Sequence, residues 1–181
     1  MNSPGLRLER LGAHHDVSGF ASGNEELDSW LRRHALAAQQ MDSARTFLLV
    51  RGGEGAESRV AGYFSLTMGS VLRAEAPPKL VRGLPAYPVG MVLLARLAVD
   101  GSEQGKGLGA LLLAEALRKA VAAGEAAAAR LVVVDAINDE AAKFYAHHGF
   151  IAAPGHPLRL YRRMKDIRAS LRDSGTGTER V

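Results

Sequence analysis

The chain has 181 residues, 47% hydrophobic and 23% charged, with no cysteine and a net charge of +4. That length fits one domain or one domain with a tail, and it can bury roughly two-thirds of its unfolded surface without a covalent staple. The missing cysteines remove disulfides, thiolate metal sites and a cysteine nucleophile together. No apolar run approaches the ~20 residues of a membrane span, and no signal-like stretch opens the chain, so a cytoplasmic location and no membrane partner are expected. The small positive excess admits an anionic partner without demanding one.

A strand is expected over Leu6–Leu11. Ser22-Gly23-Asn24-Glu25 has the spacing of a capping box, opening a helix that should run to about Asp42. Leu27, Trp30, Leu31, Ala35 and Ala38 share one face of it, and Asp28, Arg32 and Arg33 the other. Thr46–Arg51 and Val60–Val71 read as strands around the turn GGEGAES. Residues 74–90, with Pro77, Pro78, Pro85 and Pro88, read as a loop with a short helical turn. Met91–Val99 is apolar on both faces, as a central strand should be.

A helix from Gly107 to Ala123 follows, with Gly124 as its C′ residue. Arg130–Ala136 is a second central strand. Asn138 caps a short helix whose first turn holds Asp139 and Glu140, where carboxylates favour the helix dipole. Strands near Phe150–Ala152 and Leu158–Met164 close the domain. A single domain over 1–165 is therefore expected, with 166–181 a basic, mobile tail.

The most informative segment is Gln104-Gly105-Lys106-Gly107-Leu108-Gly109, between the central strand and its helix. Glycines there let a backbone curl around an anion, and the helix start offers unpaired N–H groups to it. A Walker loop needs four residues between its glycines and a hydroxyl after the lysine. Here only three separate Gly101 from Gly105, and Gly107 stands in the hydroxyl's place. A dinucleotide fingerprint needs G-x-x-G after its first pair, whereas Gly105, Gly107 and Gly109 alternate.

What fits is Q/R-x-x-G-x-G/A, read on Gln104, Gly107 and Gly109. It resembles the acetyl-CoA pyrophosphate loop of the GNAT family of N-acetyltransferases. Asn138-Asp139-Glu140-Ala141-Ala142-Lys143-Phe144-Tyr145, then Gly149-Phe150, is similar to that family's second signature. The resemblance spans most of residues 6–164. It implies an α+β fold: a mixed, mostly antiparallel twisted sheet of about six or seven strands with helices on both faces.

It also implies acetyl-CoA as co-substrate, with Leu97, Ala98 and Val99 meeting the pantetheine arm through their backbone. Gln104, Gly105, Lys106, Gly107, Leu108, Gly109 and Ala110 would cradle the pyrophosphate, and Asn138 and Phe144 would line the arm's far side. Tyr145 would be the general acid that protonates the departing thiolate; a packed tyrosine is the plainer alternative. No general base is evident. An α-amine, with pKa near 7.7–8.0, needs one less than a lysine near 10.4 does.

A narrower resemblance rests on Phe20–Asn24, Leu27–Leu31, Ser43–Phe47 and Leu94–Val99. These look like the GNAT toxins of bacterial toxin–antitoxin pairs, which acetylate the α-amine of aminoacyl-tRNA and block translation. A ribbon-helix-helix antitoxin neutralises them, and they are often dimers, so the resemblance admits a homodimer. It implies that Arg96, Arg32 and Arg33 meet tRNA. The alternative is a non-toxic N-acetyltransferase for a small amine or a protein N-terminus.

Arg96 interrupts an apolar strand, so it must reach a carboxylate, a phosphate or solvent. Arg159, Arg162, Arg163, Lys165, Arg168 and Arg172 form either a phosphate footprint or a strand edge blunted by charge. The six histidines show no ligand spacing, so no metal is expected. His147, beside the cofactor motif, is a further candidate for a phosphate contact.

Overall fold

The computed structural model describes residues 5–53 and 58–175. The elements in chain order are β1 (Leu6–Arg10), α1 (Glu25–Arg33), α2 (Ala35–Gln40), β2 (Arg45–Arg51), β3 (Arg59–Val71), α3 (Pro78–Val81) and β4 (Val89–Val99). They continue with α4 (Leu108–Ala127), β5 (Leu131–Asp135), α5 (Asp139–His147), β6 (Ile151–Ala153), β7 (His156–Arg163) and α6 (Met164–Gly175). The strands form one seven-stranded mixed sheet in the order β1-β2-β3-β4-β5-β7-β6. This is the expected α+β class. Part of the expected turn GGEGAES lies outside the described residues.

The chain divides into two compact units, Met1–Thr67 with Ala95–Ala116, and Met68–Leu94 with Leu117–Val181. In the first unit β1 and β2 pair antiparallel from Leu6↔Arg51 to Arg10↔Phe47, and β2 pairs antiparallel with β3. Its core joins Leu11, Phe20, Leu31, Leu48, Val50, Tyr63 and Ala98. At Gly62 a Cβ would stand 3.0 Å from the Ala98 carbonyl oxygen and 3.1 Å from Leu112, so only glycine lets β3 approach that closely.

The helix expected to reach Asp42 is two helices, α1 and α2, meeting at His34. Gln39 ties the second to the chain beside it: its amide donates to the Leu11 carbonyl and accepts from the Thr46 N–H at 3.1 Å. The cap of α1 is Asn24, which accepts from Leu27 N–H at 3.0 Å. Ser22, expected in that role, instead donates its N–H and hydroxyl to buried Asp28, the hydroxyl at 2.6 Å.

In the second unit the parallel ladder between β4 and β5 runs from Met91↔Leu131 to Leu94↔Val134. The antiparallel ladder between β5 and β7 runs from Leu131↔Arg163 to Asp135↔Arg159. Leu131–Val134 are essentially unexposed, as expected for a strand covered on both faces. Gly124 is not a C′ residue but lies inside α4, and Ala128, at φ 58°, takes the left-handed position after the helix. A Cβ at Gly124 would meet Met164 Cε at 2.7 Å, so that glycine makes room for α6.

That contact also corrects the expected tail. Residues 166–175 belong to α6, and Met164 and Ile167 are buried. Burying those two apolar side chains, roughly 1.5–3 kcal/mol each, outweighs the solvation of the intervening charges. Residues 176–181 lie outside the described residues.

Candidate active site

In the first unit β4 ends at Val99, and the chain is then held by a small set of polar struts. Asp100 accepts from Ser102 N–H and hydroxyl at 3.0 and 2.6 Å and from Ala21 N–H at 3.1 Å. Gly101 N–H donates to the Ala21 carbonyl at 2.8 Å. Gln104 donates through Nε2 to the Ser22 and Val99 carbonyls at 2.7 and 3.0 Å. Its side chain therefore braces the loop, and what the loop can offer a ligand is its backbone.

Gly105 and Gly107 both lie in the left-handed region, at φ 76° and 78°, and nothing stands within 4 Å of where their Cβ would be. Helix α4 starts immediately after, at Leu108. The N–H groups of its first turn, at Leu108, Gly109 and Ala110, have no intrahelical acceptor. Two left-handed glycines before a helix start are an arrangement from which backbone N–H groups can converge on an anion.

Glu103, 1% exposed, anchors this loop from below. Arg51 donates to it bidentately at 2.9 and 3.2 Å, Arg59 pairs with the same carboxylate, and Lys106 Nζ lies 3.4 Å away. Lys106 also donates to the Ser102 carbonyl at 2.9 Å. The Arg51 hydrogen bond first, then Lys106, holds the Glu103 carboxyl below its ordinary range against the opposing effect of burial. Glu103→Gln should lower stability by about 1–3 kcal/mol above the usual glutamate pKa of roughly 4.3. Because the folded pKa is depressed, that difference is lost as pH falls through it. Urea titrations of both proteins should converge in acid; a pH-independent gap would show that shape, not charge, matters here.

Of the three partners expected for Arg96, a carboxylate is not met among the described residues; the side chain is part-exposed and lies over an aromatic ring. Its guanidinium carbon lies 4.1 Å from the centroid of the Trp30 ring. Trp30 stacks in turn on Tyr63, with centroids 6.1 Å apart at 13°, and Phe20 meets Tyr63 edge-on. The Tyr63 hydroxyl donates to the Leu27 carbonyl at 2.7 Å, and burial raises its pKa despite Arg96 nearby. Among the described residues the N–H donors of Arg96 have no acceptor, so they remain for a ligand.

Arg32 is spent locally, donating to the Phe20 carbonyl at 2.8 Å and pairing with Glu25 at 3.1 Å, whereas Arg33 is exposed. Trp30 and Glu103 were not singled out by the sequence. Trp30 was assigned to an apolar helix face, and nothing local marks Glu103 as buried.

In the second unit Asn138 caps α5, accepting from Ala141 N–H at 2.8 Å. Phe144 is half-buried, and its ring lies 5.3 Å from that of Tyr145 at 69° and 4.6 Å from that of His148. Tyr145 is 7% exposed and also meets Phe150 edge-on at 5.7 Å. Among the described residues its hydroxyl has no hydrogen-bond partner. Burial pushes that phenol up to about 12, so it keeps its proton across the cellular range. The hydroxyl oxygen is not itself among the buried unpartnered polar atoms, so it is open to solvent or to a ligand. His147 is exposed, edge-on to His148.

The basic C-terminal residues are largely paired within the protein. Arg159 reaches Asp135, Arg162 donates to Ser170 Oγ at 2.5 Å, Arg163 pairs with Asp166 and Arg168 with Glu125. They tie α6 and β7 down, which leaves less charge for a phosphate footprint than the count of arginines suggests.

The first unit thus offers φ-positive glycines ahead of a helix start, and the second a mostly buried, neutral phenol on a capped helix. Residues 14–150 match the family model described as the acetyltransferase (GNAT) family. The chain belongs to the GNAT acetyltransferase family. It is 42% identical over 164 residues to a tRNA-acetylating toxin of Mycobacterium tuberculosis (strain ATCC 25618 / H37Rv), covering 91% of this chain and 95% of that one.

Its fold is similar to that of AtaT complexed with acetyl-methionyl-tRNAfMet, at a TM-score of 0.83 and 30% identity over 92% of this chain and 99% of that one. It is also similar to a tyrosine-to-phenylalanine variant of the AtaT toxin bound to the C-terminus of the antitoxin AtaR and acetyl-CoA. There the TM-score is 0.79 at 29% identity, over 93% and 99% of the two chains. No helix among the described residues is long and apolar enough to cross a membrane.

Proposed function

We propose that this GNAT enzyme transfers the acetyl group of acetyl-CoA to the α-amine of aminoacyl-tRNA, acting as a toxin that blocks translation. The 42% identity to a tRNA-acetylating toxin over nearly the whole of both chains carries the reading. An antitoxin of ribbon-helix-helix type is the proposed partner, and the proposed place of action is the cytoplasm.

Each part of the chemistry falls to a residue of this chain. The N–H groups from Gly105 to Ala110 hold the pyrophosphate, with Gln104 and Lys106 keeping the loop in shape. The backbone of Leu97, Ala98 and Val99 pairs with the pantetheine arm, which Asn138 and Phe144 flank. The neutral α-amine attacks the thioester carbonyl carbon, forming the N–C bond. The C–S bond then breaks, and Tyr145 gives the departing sulfur its proton. The proton released from the acylated nitrogen balances the transfer and restores the phenol. Arg96, lying over Trp30, binds acceptor phosphate or ester oxygens, and Arg33 binds tRNA phosphate farther out.

Labelled acetyl-CoA incubated with charged or uncharged total tRNA tests the reading. Label should enter charged tRNA only and should leave it on mild alkaline deacylation, because the acetylated amine hangs on an ester. Uptake by spermidine, free amino acids or a peptide N-terminus, with none on charged tRNA, would replace the toxin reading with the small-amine alternative. Arg96→Ala should reduce acetylation of charged tRNA more than that of a small free amine. Arg33→Ala should lower the salt slope of tRNA binding by about one unit or slightly less, with acetyl-CoA binding untouched. Arg32 is left intact in that experiment, since it braces Phe20.

A further inference from the structure

The loop after β1 brings together three side chains that the expected function does not use. Glu9 stands on β1, and His14 and His15 lie in the turn that follows, with ring centroids 4.0 Å apart. One ligand atom from each of the three lies within 4.8 Å of those of the other two. Around a tetrahedral ion with bonds of about 2.0–2.2 Å, ligand atoms sit roughly 3.3 Å apart, so a modest contraction of the turn suffices. His15 Nε2 is already 2.9 Å from Glu9 Oε2.

We propose that Glu9, His14 and His15 form a binding site for a borderline divalent transition-metal ion, zinc foremost. Two imidazoles and one carboxylate are a donor set that suits such an ion. As it stands, Gly12 N–H donates to His15 Nδ1 at 2.9 Å, which leaves the ring proton on Nε2 facing Glu9. Binding an ion through Nε2 requires the other tautomer, in which Nδ1 gives up the bond from Gly12 N–H and donates instead to the Gly12 carbonyl oxygen 3.2 Å away. A backbone carbonyl in that position is the usual orienting partner of a ligating histidine.

His14 is exposed and makes no hydrogen bond among the described residues, so its turn toward the ion costs no existing partner. The fourth position faces a cleft of about 820 Å³. Arg7, 3.0 Å from Glu9 Oε1, and Arg59, on the cleft wall, oppose a cation there. They leave Oε2 as the ligating oxygen, and they favour water or an anion in the open position.

The test uses the untagged full chain, stripped with chelator and titrated with Zn²⁺ by calorimetry and with Co²⁺ by visible absorption. The expected result is one saturable equivalent, tetrahedral cobalt bands and a higher thermal midpoint with zinc. His14→Ala and Glu9→Gln should each weaken binding by about tenfold or more. His147→Ala with His148→Ala, the other adjacent pair, should leave it unchanged. Zinc bound equally well by His14→Ala, zinc lost with the His147/His148 pair instead, or no saturable binding would each overturn the site. If His15→Ala fails to fold, His14→Ala still decides the matter, because that side chain is exposed and makes no hydrogen bond among the described residues.

Discussion

Tyr145→Phe should reduce turnover on aminoacyl-tRNA by about 10²–10⁴, the range for loss of a positioned proton donor, while fold and acetyl-CoA affinity hold. The substitution removes one oxygen and keeps the edge-on contacts with Phe144 and Phe150. The lost hydroxyl has no hydrogen-bond partner among the described residues, so the thermal midpoint should not fall. The pH profile follows from the two ionisations. The acceptor amine must lose a proton, so kcat/KM should rise through about pH 7.7–8.0.

The phenol, pushed up to about 12 by burial, stays protonated below that value, so its proton supply is lost only as pH rises through it. No descending limb should appear before strong alkali. Single-turnover assays of both proteins on charged tRNA measure the effect. A loss smaller than roughly threefold would leave Tyr145 a packing residue and make water the proton source.

Gly107→Asp should weaken acetyl-CoA binding by about 10²-fold or more, since facing two like charges costs several kcal/mol and each 1.4 kcal/mol is tenfold. Space is not the obstacle, because nothing lies within 4 Å of the new Cβ. Two other effects act. The residue sits at φ 78°, where a side chain costs roughly 1–2 kcal/mol. Its carboxylate would also stand at the start of α4, capping the N–H groups meant for the pyrophosphate and repelling the anion itself. Gly107→Ala carries the strain without the charge, so calorimetry on the pair separates the two. Both variants should keep the folded circular dichroism spectrum. Unchanged affinity in Gly107→Asp would remove the loop from the cofactor site.

Much of this was legible along the chain, for a physical reason. The glycines at 105 and 107 and the Asn138 cap work through torsions and hydrogen bonds closed within a few residues, so spacing alone reveals them. The apolar run of β5 likewise announces a strand buried on both faces. Helix α6 was present in the sequence as Met164, Ile167 and Leu171 at helical spacing. The count of basic residues hid it, because charges on the open face say nothing about what the other face buries.

By itself the sequence determined the order of the strands, the helix after the central strand, the capped helix bearing Tyr145 and the family to which they belong. These depend on local geometry and on two short motifs. Tertiary structure alone decided that Arg96 lies on Trp30, that Glu103 is buried among Arg51, Arg59 and Lys106, and that Gln39 ties α2 to Leu11 and Thr46. It also decided that Gly124 sits inside a helix to admit Met164. Most of these pairs are separated by tens of residues. No spacing rule spans such distances, because which side chains meet depends on how the sheet and helices pack, and the free energy that selects the contact appears only once they have.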